Sequence, residues 1–213
     1  MKLPRVLLAD DHRLVAEGLK SLLSAEFELV GVVEDGLALI EAAQRLRPDV
    51  IVTDITMPHL NGIDALVRLK QDNEQVRVVF LTMHPEVAYA RRALAAGALG
   101  FVLKHSAPAE LVAAIRAALD GRTYVTPAIA GEVLRVMNCE PDKTSDPVAS
   151  LTLRQREILQ LLTEGRSAKE IGGVLALSAR TVEFHKYQMM QKLGLHTIAE
   201  LVHFAIKHGI AAI

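Results

Sequence analysis

Five short runs in the first half of the chain are apolar almost from end to end: residues 5–9 (RVLLA), 28–33 (ELVGVV), 49–53 (DVIVT), 76–82 (VRVVFLT) and 99–103 (LGFVL). They are rich in β-branched residues and do not alternate between apolar and polar. A strand of that composition has both faces covered, as in a parallel sheet with helices on each side. The stretches between them, 12–25, 36–46, 61–72, 85–96 and 107–119, carry apolar residues at helical spacing. Five successive β-α units predict an α/β fold, a doubly wound five-stranded parallel sheet with right-handed crossovers.

The texture changes near residue 150. Asp120-Gly121-Arg122 reads as a helix stop, a short helix is expected from Pro127 to about Asn138, and NCEPDKTSDPVAS (138–150) has two prolines, three acids and almost no apolar content, as an exposed linker does. Beyond it only helical spacing recurs, over 152–164, 167–176, 179–193 and 197–208, with Gly165 and Gly194 where helix stops are needed. The chain is therefore divided into 1–121, a linker with a short helix over 122–149, and an all-α four-helix unit over 150–213. Charge divides the same way. The net charge of −1 hides 16 Lys+Arg against 20 Asp+Glu in residues 1–149, and 8 against 5, with four histidines, in 150–213. An acidic front and a mildly basic back point to two tasks, although a surplus of this size is only a weak pointer to nucleic acid. Apolar residues at 51% and charged residues at 23% are globular values. No apolar run approaches the ~18–20 residues that cross a bilayer. MKLPRVLLAD meets Asp10 too soon for a secretory signal, and the single Cys139 cannot form an internal disulfide; a cytoplasmic protein is expected.

Ligands of a doubly wound sheet bind beyond the carboxyl ends of its strands. Here those ends are Asp10 and Asp11, Asp54, Thr82 and Lys104. Each has an ordinary explanation: an aspartate capping the next helix, a loop acid, a strand-end hydroxyl, a solvated lysine. Five ordinary explanations at one edge are less economical than one site. Clustered carboxylates repel unless a cation intervenes, and Mg²⁺ is a hard cation that takes oxygen ligands. A carboxylate beside it can act as nucleophile towards phosphorus, with Lys104 and Thr82 as electrostatic partners.

Together VLLADDH, DVIVTDITMPHLNGID, VVFLTMH and GALGFVLK resemble the receiver domain of two-component response regulators, over roughly residues 4–120. The resemblance implies a flavodoxin-like fold, phosphorylation of Asp54 by a sensor histidine kinase, and Mg²⁺ held by Asp10, Asp11, Asp54 and the carbonyl of Thr56. It also implies a switch formed by Thr82, Lys104 and an aromatic on the fifth strand, which is Phe101 here and not the commoner tyrosine. A phenylalanine has no hydroxyl, so that part of the switch is expected to work by packing.

Residues 167–192, SAKEIGGVLALSARTVEFHKYQMMQK, have helix-turn-helix form, with Ser167 and Glu170 as a capping box and Ser178 capping the second helix. Val182, His185, Met189 and Leu193 fall on its inner face; Glu183, Phe184, Lys186, Tyr187 and Gln191 fall on its outer face. Exposed aromatics beside Lys186 and Arg180 call for something to cover them. The segment from about 148 to 211 resembles the LuxR-type DNA-binding domain of the NarL/FixJ group, through Leu151, Arg156-Glu157, Gly165, Lys169-Glu170-Ile171, Leu175, Ser178, Thr181-Val182, His185 and Lys192-Leu193-Gly194. It implies double-stranded DNA contacts from Lys169, Arg180, Thr181, Glu183, Phe184, Lys186, Tyr187 and Lys192, and pairing of two copies through Ile198, Leu201, Val202 and Ala205. Ala168, Gly172 and Glu183 depart from the usual Asn, Ala and Lys. Glu183 cannot neutralise a phosphate but can accept from cytosine N4.

The reading is a transcriptional regulator, not an enzyme, which takes phosphate from a histidine kinase, forms a homodimer on activation and binds promoter DNA, with RNA polymerase a further partner. The alternative is a receiver-controlled regulator whose tail binds protein. An aspartyl-phosphate phosphatase would need Asp-x-Asp after the first strand, where this chain has adjacent acids, and a dinucleotide-binding turn would need glycines that ADDHRLVAEG lacks.

Overall fold

The computed structural model describes residues 3–106, 108–138 and 147–211. Its N-terminal part alternates β1 (Arg5–Ala9), α1 (Arg13–Leu23), β2 (Glu28–Val33), α2 (Gly36–Leu46), β3 (Val50–Thr53), α3 (Gly62–Asp72), β4 (Val78–Thr82), α4 (Val87–Ala95), β5 (Gly100–Leu103) and α5 (Pro108–Leu119). The strands are parallel, in the order β2-β1-β3-β4-β5 with one further strand beyond. Strand order reverses between β1 and β3, so the crevice that binds ligands in such sheets opens between Ala9 and Thr53, which are register partners. Alternate strand residues feed two cores. Leu7, Ala9 and Ile51 join Leu39, Leu66 and Ala90 from α2–α4; Val6, Leu8 and Val52 join Ala16, Leu111 and Ile115 from α1 and α5.

The sheet has six strands where the sequence pattern gives five. Gly121, at φ 72°, reverses the chain after α5. Tyr124 N then donates to Leu99 O and Thr126 N to Phe101 O, which seats β6 (Tyr124–Val125) on β5. Two residues are too short for any period to register. The short helix expected after Pro127 is α6 (Pro127–Asn138), with Ile129 and Val133 buried in the α2–α4 core. The stretch 139–146 of the expected linker, with Cys139, lies outside the described residues.

The C-terminal part is a 3-10 turn (Pro147–Ser150), α7 (Leu153–Thr163), α8 (Ala168–Leu175), α9 (Ala179–Leu193) and α10 (Ile198–Lys207). Capping boxes open α7 at Thr152/Gln155, α8 at Ser167/Glu170 and α10 at Thr197/Glu200, and Ser178 caps α9 through Thr181 N. Gly194, at φ 66°, ends α9. Ile158, Ile171, Val182, Met189, Leu201 and Ala205 close one core. Gly172 sacrifices helix propensity for contact: a Cβ there would fall 2.5 Å from Leu177 O in the turn between α8 and α9. No helix among the described residues is long and apolar enough to cross a membrane.

Candidate phosphoacceptor site and DNA-facing helix

The rim residues predicted from the strand ends meet in the crevice. Lys104 Nζ lies 2.6 Å from Asp54 Oδ2 and 2.8 Å from Asp10 Oδ2, with all three side chains buried. The backbone N–H of Ile55 donates to Asp54 Oδ1 at 2.6 Å. Asp10 does not cap α1: His12 is the N-cap residue, and Asp10 Oδ1 accepts from its backbone N–H. Burial pushes the Asp54 carboxyl above the ordinary carboxylate range, against the pull of the Lys104 ammonium. Burial also works against charge on Lys104, but its hydrogen bonds to Asp10 and Asp54 outweigh it and hold the ammonium above the usual lysine range. One ligand atom each from Asp10, Asp11, His12 and Asp54 fits within 4.8 Å. Three carboxylates in that space make a donor set suited to a hard divalent cation.

The loop from β3 to α3 is shaped around the acid. Gly62 passes so close beneath it that a Cβ would fall 2.1 Å from Asp54 O. Asn61 caps α3 by accepting from Asp64 N. On the other side of the crevice, Thr82 Oγ1 accepts from His84 N at 3.2 Å, and His84 Nε2 lies 2.9 Å from Thr56 Oγ1. His84 stacks on Tyr89 of α4, with ring centroids 4.6 Å apart. Phe101 is fully buried in the α2–α4 core. His84 is a functional neighbour that the strand-end argument missed; its signal was a histidine two residues after the rim threonine.

A second set of polar residues was also missed. Gln160 of α7 reaches into the β3–α3 loop: its Nε2 donates to Met57 O at 2.8 Å and its Oε1 accepts from Asn61 N at 2.7 Å. Beside it Arg156 Nε donates to Asp64 Oδ1 at 2.7 Å, and Arg68 Nε lies 2.6 Å from Glu157 Oε1. Asn61, Asp64, Glu157 and Gln160 are all buried. Burial raises the Glu157 carboxyl above its usual range in spite of Arg68 and Arg154. The end of the C-terminal part adds Arg92 Nη1 donating to His208 O and Asn61 Nδ2 donating to Ile210 O.

The outer face of α9 is open. Phe184 and Tyr187 are 57% and 59% exposed, Arg180, Glu183, Lys192 and Lys169 of α8 are exposed, and Thr181 is half-buried. Lys186 differs from expectation: its ammonium folds back onto Glu183, three residues earlier on the helix. Of the α10 residues, Leu201 and Ala205 are fully buried in the domain's own core, so its outer surface is carried by Ile198, Val202 and His203.

The chain is similar to known proteins over both of its parts. Residues 6–116 match the response regulator receiver domain and residues 149–205 match the bacterial regulatory proteins of the luxR family. Response regulator UvrY of Escherichia coli (strain K12) is 35% identical over 96% of this chain and 94% of its own. RcsB of Salmonella enterica serovar Typhimurium, solved bound to a promoter in the presence of the phosphomimetic BeF3−, is 28% identical with a TM-score of 0.63, over 94% of this chain and 97% of that one. RcsB has also been solved as two dimers bound to two parallel DNAs, at 27% identity and a TM-score of 0.60, over 95% of this chain and 98% of that one.

Proposed function

The chain belongs to the two-component response regulators with a luxR-family C-terminal domain and is a DNA-binding transcriptional regulator; on that footing we propose that Asp54 is its phosphoacceptor and that α9 reads the operator. Residues 1–121 form the receiver, to whose sheet and core β6 and α6 of the 122–149 segment are added, and 150–213 form the DNA-binding domain. The observation that carries the first half is Lys104, whose single ammonium bridges Asp54 and Asp10.

The donor is the phosphohistidine of a sensor kinase. An Asp54 carboxylate oxygen attacks phosphorus, the P–N bond breaks, and the histidine leaves as imidazole. Lys104, already on Asp54, and the Thr82 hydroxyl then face the new phosphoryl oxygens. Mg²⁺, which would be held by Asp10, Asp11, Asp54 and the Thr56 carbonyl, supplies charge neutralisation when bound. Phe101 contributes packing only, since its ring is fully buried and has no hydroxyl.

On DNA, the N-terminal half of α9 enters the major groove. Arg180, Lys186, Lys169 and Lys192 supply salt-dependent attraction to phosphates, and Phe184 and Tyr187 cover apolar base edges. Two copies pair through the outer surface of α10 at Ile198 and Val202. The protein works in the cytoplasm, and promoter binding brings it to RNA polymerase.

The test is intact mass with oligomeric state. Wild type and Asp54→Asn are incubated with acetyl phosphate, with and without Mg²⁺. One phosphoryl group on wild type alone, requiring Mg²⁺ and accompanied by dimer formation, is expected. Phosphorylation of Asp54→Asn at a comparable rate refutes the assignment of the nucleophile.

A further inference from the structure

The outer face of α9 is not a bare row of side chains. Two pairs of its polar groups are bonded to one another at helical spacing. Lys186 turns onto Glu183, three residues earlier. Further along, Gln191 Nε2 donates to Tyr187 Oη at 2.7 Å, four residues earlier. Both Tyr187 and Gln191 are exposed. A pair of this kind adds little to the stability of a helix, so its consequence lies in what it leaves Tyr187 able to do.

A phenol hydroxyl has one hydrogen to give and an oxygen that accepts. The Gln191 amide takes the accepting side of Tyr187 Oη, and it comes from the C-terminal side of the helix. The phenolic hydrogen is left for another partner, directed away from Gln191. The acceptor one turn back on the same face is Glu183, and its carboxylate is engaged by Lys186 instead. The duplex, by contrast, is rich in acceptors: phosphate oxygens along the backbone, and guanine N7 and O6, adenine N7 and thymine O4 in the major groove.

We propose that Tyr187 is a directed hydrogen-bond donor to the duplex and that Gln191 is the positioning residue that fixes its polarity. The recipient is an acceptor on DNA, either a phosphate oxygen or a base edge in the major groove. This adds a directional polar contact to the apolar cover given by the ring, and it rests on the reading that α9 faces the operator. The chemistry at position 191 then decides the sign. A donor there keeps the phenolic hydrogen outward. An acceptor there takes that hydrogen and turns the lone pairs of Oη towards the acceptors of the duplex, where they gain nothing.

Tyr187→Phe keeps the ring and removes the hydroxyl. Its cost is measured in three backgrounds of the full chain: native Gln191, Gln191→Lys and Gln191→Glu. Comparison within each background cancels the charge that the substitution at 191 adds. The probes are a duplex selected from a random-sequence pool by the wild-type chain and an unrelated duplex of equal length, with affinity read by fluorescence anisotropy. Loss of the hydroxyl is expected to weaken binding by roughly fivefold or more, the worth of one ordinary hydrogen bond, with Gln191 and with Gln191→Lys, and to change nothing with Gln191→Glu. A loss on both duplexes assigns the acceptor to the phosphate backbone, and a loss on the selected duplex alone assigns it to a base edge; either result supports the proposal. A loss that persists with Gln191→Glu, or vanishes with Gln191→Lys, overturns the role of Gln191. No loss in the native background overturns the proposal whole. Arg180→Ala tells that apart from failure of the reading beneath it: if this variant too leaves affinity and salt dependence unaltered, α9 does not face DNA.

Discussion

Replacing Lys104 with methionine isolates the electrostatics of the site, because the two side chains have similar length and the lysine is buried. In the native chain one ammonium serves Asp54 at 2.6 Å and Asp10 at 2.8 Å. Breaking a buried ion pair by removing one partner costs about 3–5 kcal/mol, and here two carboxylates lose their partner together. The variant is expected to lose about 4 kcal/mol of unfolding free energy at neutral pH in EDTA, by the same reasoning. Saturating Mg²⁺ should return much of it: at a hundred times the dissociation constant, ligand binding stabilises by about 2.7 kcal/mol. Acid should return it too. Without the lysine, burial alone acts on Asp54, which titrates in the folded state above its unfolded value. A group whose folded pKa is raised contributes fully below the unfolded pKa, and that contribution is lost as pH rises through the folded pKa. The deficit is therefore largest at neutral pH and shrinks as the Asp54 carboxyl takes up a proton. Urea unfolding followed by circular dichroism measures it. An equal deficit with EDTA and with Mg²⁺ would refute the view that the lysine and a cation answer the same buried charges.

Three further outcomes follow from single contacts. Gly62→Ala places a methyl group 2.1 Å from Asp54 O and should cost about 3 kcal/mol or more and abolish phosphorylation, read by urea unfolding and intact mass. Ser178→Ala removes the cap of α9 and should destabilise the C-terminal domain by about 1 kcal/mol, seen as a lower unfolding midpoint for that domain alone. Glu183→Gln frees Lys186 from its intrahelical partner, so operator affinity should rise, and the slope of log affinity against log salt should steepen by about 0.9 in fluorescence anisotropy titrations.

The α/β fold was legible because apolar runs without alternation admit few alternatives, and the five principal strands lie within two residues of where the pattern puts them. The acids were legible for the same reason: once the strands are assigned, topology alone brings Asp10, Asp54, Thr82 and Lys104 to one rim. Two things were not legible. A two-residue strand such as β6 carries no period, and its pairing is set by the reversal at Gly121. The interface between the domains was hidden because its residues look like a solvated helix face. There was nonetheless a sign in EILQLLTEG: Gln160 interrupts a run whose neighbours, Leu159 and Leu161, are both fully buried, and Glu157 shares its side of α7. A glutamine among such neighbours marks a helix with two buried faces, one for its own core and one for a partner. The turn of Lys186 onto Glu183 was invisible for another reason, since helical spacing allows the pair without requiring it.

The chemistry of the interface suits a contact that must open. Buried ion pairs are weak devices for stability, because each charge gives up its hydration and a hydrophobic replacement often does as well. Their distinctive property is dependence on geometry: Arg156 with Asp64, and Gln160 with Met57 and Asn61, meet only at the docked separation. A displacement of the β3–α3 loop by an ångström would leave several buried groups with poor partners at once, whereas an apolar contact would slide and keep most of its energy. Once separated, every one of these groups has water as an alternative partner. The docked state is thus stiff towards small movements and reversible towards large ones.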